Sequence, residues 1–367
     1  MPLFNDIYLN RKIFLTGHTG FKGSWLTLWL EQLGAKICGF SRETAVSEPN
    51  HFSLLKMKTL EDCRGDVRDE TSLQDAMQRF QPEIVFHLAA QPLVRLSYQE
   101  PLETFATNVL GTANLLQACQ NCDSVRAVVV ITTDKVYQNR EWNWGYREID
   151  TLGGHDPYAA SKACSELVVD CFRKSFFEKE KHENGQTRIL AASIRAGNVI
   201  GGGDWASDRI VPDLVRAATK GETTIIRMPH AVRPWEHVLE PLAAYLLIGQ
   251  RLLEGRADIA QAWNIGPDEN GIVTVGQLAE LAQTYWDKLK IDFRPSQTLP
   301  HETRYLSLDC SKAKHQLGWQ PVWSFDETVK HTIDWYRTHC ESNEILSLSQ
   351  LSQFIADAKD RQAVWTA

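Results

Sequence analysis

Apolar residues in this chain fall in short unbroken runs. Ile13-Phe14-Leu15, Ile37-Cys38-Gly39-Phe40, Ile84-Val85-Phe86 and Ala127–Ile131 each have strand length. Continuous rather than alternating hydrophobicity is what a strand covered on both faces shows, as inside a parallel sheet flanked by helices. Longer helical stretches such as Ser24–Leu33 lie between the runs. Strand and helix patterns alternate through residue 197, which predicts an α/β fold with a doubly wound parallel sheet of the modified Rossmann type. Beyond 197, glycine, proline and tryptophan punctuate shorter elements, as expected of a smaller second domain over the sheet's carboxyl edge. Ala262–Gly266 again has the pattern of a sheet strand. The expected division is therefore 1–197 plus about 236–266 for the sheet domain, and 198–235 with 267–367 for the other. The polar run 178–186 reads as a helix end and solvated loop. From Asn343 onward, Ile345, Leu346, Leu348, Leu351, Phe354 and Ile355 have the spacing of a packed surface helix.

The first strand pattern runs directly into Gly17-His18-Thr19-Gly20-Phe21-Lys22-Gly23 and then into a helix. Glycines at 17, 20 and 23 allow a tight turn, close approach of backbone to a pyrophosphate, and close helix–strand packing. The helix N-terminus then faces the anion. At the end of the second strand, where an acid commonly holds the adenosine ribose, the chain has Ser41-Arg42. Arg42 can accommodate a 2′-phosphate, stack on adenine or bridge the ribose. Further strand ends at Asp66-Val67 and Leu88-Ala89-Ala90 offer small or polar residues to a cofactor lying along the sheet edge. Asn108 opens a helical segment behind them.

The chemistry-bearing residues follow the run Ala127–Ile131. They are Thr132-Thr133-Asp134-Lys135-Val136-Tyr137 and, one element later, Tyr158-Ala159-Ala160-Ser161-Lys162. Residues i and i+4 share a helix face, so Tyr158 and Lys162 point into one space. A phenol has an ordinary pKa of about 10, and a nearby cation favours its ionised form. Such a pair suits proton removal from a sugar hydroxyl as hydride leaves the same carbon.

Composition narrows the class without naming the chemistry. The 367 residues are 43% hydrophobic and 23% charged, ordinary for a globular chain of one large or two moderate domains. The net charge of −7, with scattered basic residues, gives no footprint for nucleic acid. No stretch approaches the about 20 apolar residues of a membrane span, and the cytoplasm is the expected location. Of eight cysteines, Cys119 and Cys122 alone have metal- or redox-like CxxC spacing. With no second pair nearby, reduced structural thiols are expected and no metal site.

Taken together, the glycine turn, Asp66-Val67, Leu88-Ala89-Ala90, Asn108, Thr133-Asp134 and Tyr158/Lys162 resemble the extended short-chain dehydrogenase/reductase family. Within it the chain resembles the nucleotide-sugar 4,6-dehydratases from about residue 8 to residue 340. Several strings are similar to the branch acting on CDP-glucose: Thr16–Trp25, Ala90–Arg95, Thr133–Tyr137, Arg195–Trp205 and Arg233–Glu240. The resemblance implies a tightly held NAD, a CDP-glucose substrate and a homo-oligomer, dimer or tetramer. It also implies a route toward 3,6-dideoxyhexoses of bacterial surface polysaccharide. The cofactor would meet Gly17, His18, Gly20, Phe21, Lys22, Gly23, Arg42, Asp66, Val67, Leu88, Ala89, Ala90, Asn108, Thr132, Tyr158 and Lys162. The sugar nucleotide would meet Gln91, Arg95, Thr133, Asn198, Arg209, Arg233, Arg304 and Tyr305. Two phosphates call for forked donors, which arginine supplies. Catalysis would rest on Thr133, Asp134, Lys135, Tyr158 and Lys162, with Asp134 as the acid for the leaving hydroxyl. Lys135 stands where the dTDP-glucose dehydratases carry a glutamate base. It could act as a base with a depressed pKa, as a cation beside the enolate, or only as a partner of Asp134.

Overall fold

The computed structural model describes residues 2–43, 47–178, 188–294 and 303–367. The polar run expected at 178–186 lies, past Glu178, outside the described residues. Twelve strands are β1 (Lys12–Thr16), β2 (Lys36–Ser41), β3 (Leu60–Arg64), β4 (Ile84–His87), β5 (Ala127–Ile131), β6 (Leu190–Ala196), β7 (Asn198–Ile200), β8 (Thr223–Ile226), β9 (Val232–His237), β10 (Ala262–Ile265), β11 (Ile272–Thr274) and β12 (Lys290–Phe293). Seven form one parallel sheet in the order β10-β6-β5-β4-β1-β2-β3. The order reverses between β1 and β4, which places a ligand crevice at their carboxyl ends.

The unbroken apolar runs are explained by helices on both faces. Ile13 and Leu15 of β1 pack with helices Phe21–Gln32 and Leu239–Leu253, while Phe14 between them packs with helices Glu70–Phe80 and Gly111–Gln120. β10 pairs with β6 at the far edge, so the late strand pattern at 262–265 does complete the main sheet. Beyond the sheet, β9 lies between β7 and β11, and β8 pairs with β12. These short strands stand over the crevice.

The tail forms the helix Ser347–Asp360, with Leu351 and Phe354 buried and Leu348 half exposed. It packs against the helix Phe21–Gln32 through an aromatic cluster: Phe354 lies 5.8 Å from Trp29, and Trp29 lies 5.5 Å from Trp365. No helix among the described residues is long and apolar enough to cross a membrane.

Buried histidines fasten these layers. His51 bridges Ser24 at 2.7 Å and Ser347 at 2.8 Å. His87 bridges Thr16 at 2.7 Å and Thr112 at 3.2 Å. Burial holds both neutral, pushing each pKa down to about 3, and holds His18 at about 4. Unfolded histidine protonates near 6.5, so between these values the unfolded chain binds more protons. Stability is therefore fully present above about pH 6.5 and falls as pH drops toward about 3. Urea titrations at pH 7 and pH 5 should show a lower midpoint at pH 5; equal midpoints would contradict this account.

Candidate active site

A cavity of about 870 Å³ opens over the carboxyl ends of the central strands. Its floor begins with the glycine turn. Gly17 has φ +75°, and a Cβ there would lie 2.7 Å from Ala89 N; a Cβ on Gly23 would lie 2.0 Å from Gly17 O. Turn, helix and the small-residue end of β4 are thus packed backbone to backbone, which only glycine permits. Gly20 caps the helix without a side-chain hydrogen bond, so the first helical amides are left for an anion. A dinucleotide fits this cradle.

Ser41, Arg42, Asp66, Val67, Leu88, Ala89 and Ala90 continue the wall. Arg42 Nη1 lies 3.8 Å from Glu103, and its charge helps hold the Asp66 carboxyl low, behind the hydrogen bonds from Arg68.

The Thr132–Tyr137 and Tyr158–Lys162 strings meet on one side of this cavity. Asp156 caps the helix Pro157–Phe172 by accepting from Ala159 N at 2.9 Å, and Pro157 occupies its first turn. That start points Tyr158 and Lys162 into the cavity together. Lys162 Nζ donates to the Ile131 carbonyl at 3.1 Å, and burial lowers its pKa to about 8. Tyr158 is instead pushed up to about 12 by burial, opposed by a hydrogen bond with Thr133 and by the charge of Arg209. Loss of solvent around the ring thus raises the phenol, where its lysine neighbour was expected to lower it, and the cation that opposes the rise is Arg209.

Thr133 ends β5 and caps the short turn Asp134–Val136; its hydroxyl donates to Asp134 Oδ1 at 3.0 Å. The other oxygen of Asp134 is buried without a hydrogen-bond partner among the described residues. Burial raises the Asp134 pKa, opposed first by Lys135 and then by Thr133, Arg233 and Lys22. A carboxyl so placed favours its protonated form and can donate. Lys135 is half-buried and lines the cavity beside it. Thr132 is held away from the reacting group, its hydroxyl donating to the buried Glu166, which also pairs with Arg195 at 2.9 Å.

Asn198, Arg95, Arg209 and Arg233 line the outer cavity. Arg209 is tied to Asp204 at 2.6 Å, and Arg95 to Asp208 at 2.6 Å. Arg233 is buried, donating to the carbonyls of Val232 and Thr303 at 2.8 and 2.5 Å. Thr224, Ile225, Ile226 and Arg227 complete the far wall.

Five of the expected site residues do not line the cavity. His18 is buried behind the turn against Ser41 and Asp62. Gln91 and Asn108 hold the chain after β4: Asn108 accepts from Gln91 N at 2.8 Å and donates to Ser161 at 2.8 Å. Arg304 is exposed with its amide on Glu141, and Tyr305 contributes its carbonyl to Asn139. Residue type and spacing mark such positions as near a site but do not separate the wall from its support.

Lys22 lines the cavity and reaches a buried tyrosine and glutamate that the sequence pattern did not single out. Lys22 Nζ reaches Tyr245 OH at 3.3 Å, and burial lowers its pKa to about 8, opposed first by Glu236. Glu236 is itself buried on β9, and burial pushes its carboxyl pKa well up, against the charge of Lys22. The available signal was a glutamate in the middle of a buried strand.

This fold and this threonine–tyrosine–lysine site define an extended short-chain dehydrogenase/reductase. Residues 14–332 match the GDP-mannose 4,6 dehydratase family, to which the chain belongs. CDP-glucose 4,6-dehydratase of Salmonella typhimurium is 45% identical over 346 residues, covering 94% of this chain and 96% of that protein. A dTDP-glucose 4,6-dehydratase of Xanthomonas campestris is 25% identical, covering 89% and 93%. Among solved structures, dTDP-glucose 4,6-dehydratase of Streptomyces venezuelae, determined with NAD bound, aligns with TM-score 0.74 at 24% identity over 89% of this chain and 97% of that one.

Proposed function

We propose that the chain dehydrates CDP-D-glucose to CDP-4-keto-6-deoxy-D-glucose with a resident NAD, as a cytoplasmic homo-oligomer. The observation that carries this is Asp134, a buried carboxyl whose pKa burial raises, set beside Lys135 in the same cavity as Tyr158, Thr133 and Lys162. An epimerase has use for the tyrosine and lysine but expels no water. Cytidine and glucose are supported by the similarity to the Salmonella dehydratase.

Gly17–Gly23, Asp66 and Leu88–Ala90 would hold NAD, which would supply an acceptor for hydride from C4 and a donor of hydride to C6. The cycle has no net redox change, which suits NAD. The carboxylates Glu103 and Asp66 beside Arg42 also disfavour an added 2′-phosphate. Tyr158 takes the proton of the 4-hydroxyl. Thr133, bonded toward both Tyr158 and Asp134, positions that oxygen. The resulting ketone acidifies C5–H, and Lys135 is placed to act on that hydrogen or on the charge it leaves. Asp134 donates its proton to the departing 6-hydroxyl, and water leaves. Arg233 and Arg209 hold the diphosphate side, and Thr224–Arg227 face the nucleoside.

Two variants probe these assignments. Lys135→Met should slow deuterium exchange at C5 by about 10²-fold while C4 oxidation proceeds; unchanged exchange would remove Lys135 from the elimination. Arg233→Ala should raise KM by about tenfold or more, the scale of a charge-assisted hydrogen bond of about 1.5–3 kcal/mol; an unaltered KM would refute the phosphate assignment. The function itself is tested with a panel of nucleotide-diphosphoglucoses. CDP-glucose should give a product lighter by one water, whereas a product of unchanged mass would indicate an epimerase.

A further inference from the structure

The outer edge of the main sheet gathers ligand-type side chains that the reaction does not use. β3 is the edge strand, and in its register with β2 Cys38 lies opposite Glu61 while Phe40 lies opposite Cys63. Cys38, Glu61 and Cys63 therefore project from one face of the sheet. The two sulfurs are 3.4 Å apart, Cys63 Sγ is 3.7 Å from Glu61 Oε1, and the three ligand atoms all lie within 4.8 Å of one another. Cys38 is buried, Cys63 half-buried and Glu61 exposed, so the cluster opens to solvent on one side.

Two chemistries could use paired thiols, and the sulfur separation distinguishes them. The cysteines are diagonal neighbours on parallel strands, not opposite ones. A disulfide needs its sulfurs at about 2.05 Å, whereas these stand 3.4 Å apart. Tetrahedral zinc with Zn–S bonds of about 2.3 Å separates its two thiolates by about 3.8 Å, close to the 3.4 Å found here. Glu61 supplies a third ligand, and the open side admits water as a fourth. Two thiolates and a carboxylate carry one negative charge more than a divalent cation neutralises. Arg79 Nη2, 3.0 Å from Cys63 Sγ and 3.1 Å from Glu61 Oε1, supplies the balancing charge as an outer donor.

We propose that Cys38, Cys63 and Glu61 form a binding site for a thiophilic divalent cation of the zinc type, which clamps edge strand β3 to β2. Binding breaks two S–H bonds and forms two S–Zn bonds. Two protons go to solvent, and no oxidation state changes. β2 ends at Ser41 and β3 leads into Asp66, both on the cavity wall, so the ion stiffens the adenosine edge without entering the chemistry.

The test uses the full-length holoenzyme, reduced, equilibrated with zinc and then freed of excess. One zinc per chain should be retained, should protect two thiols from alkylation, and should be lost in Cys63→Ser with turnover unchanged. Cobalt in place of zinc should show a thiolate charge-transfer band that Cys63→Ser removes. Glu61→Gln, on the exposed side, should fold normally and weaken binding by about tenfold or more. Cys119→Ser/Cys122→Ser should leave binding intact. No retained zinc in the wild type, equal zinc in Cys63→Ser, protection that follows Cys119 and Cys122, or a Cys38–Cys63 disulfide in peptide maps would each overturn the proposal.

Discussion

Tyr158→Phe is expected to lower kcat by about 10³-fold or more while leaving binding of CDP-glucose within a few-fold of wild type. Removal of a positioned general base costs about 10²–10⁴-fold, and here the base initiates every later step. Phenylalanine keeps the ring that fills the cavity wall, so the loss is chemical and not steric. Because the reaction stalls before C4 oxidation, neither the keto sugar nor deuterium uptake at C5 should be seen. The starting position of the phenol strengthens the expectation. Burial pushes Tyr158 up to about 12, so the protein alone holds a neutral phenol. Ionisation then depends on positive charge near it, which Arg209 supplies and to which Lys162, one helical turn on, would add. Wild-type turnover in this variant would remove Tyr158 from the mechanism.

Asp134→Asn should produce a comparable loss of overall turnover, about 10²–10⁴-fold, by stopping the reaction at a different point. The asparagine has the same shape and still accepts the hydroxyl of Thr133, but it cannot donate a carboxyl proton to the leaving oxygen. Oxidation at C4 and exchange at C5 should therefore continue, with reduced nicotinamide accumulating on the enzyme and no water lost. The contrast with Tyr158→Phe, which abolishes both, is the informative part. A variant that still expels water at the wild-type rate would show that another group protonates the 6-hydroxyl. The same account sets the alkaline limit. Burial lowers the Lys162 pKa to about 8, so its charge, and with it activity, is lost as pH rises past about 8.

How much of this was readable from the chain depends on whether the information is local. The glycine turn and the Tyr158/Lys162 pair are defined by spacing within one element, and the structure places them in one cavity. The late strand at 262–265 was readable because a sheet interior demands an apolar run wherever it occurs in the chain. Gln91 and Asn108 looked like ligand contacts but brace the β4 turn, a distinction that depends on which way a side chain faces after packing. The layer of Lys22, Glu236 and Tyr245 joins Lys22 to residues more than 200 positions away, and the glutamate in a buried strand hints at it without naming its partners. The cysteines make the same point. Cys119 and Cys122 drew notice by spacing, whereas Cys38 and Cys63 meet only through strand register.

The central claim is that one cofactor moves hydride from C4 to C6 of the same sugar while Asp134 releases water. It is tested most directly with CDP-glucose carrying deuterium at C4, turned over by the wild-type holoenzyme in ordinary water. The account predicts a product lighter by one water with the deuterium relocated to C6. A product of unchanged mass, or one that has lost water with its deuterium washed into solvent, would contradict it.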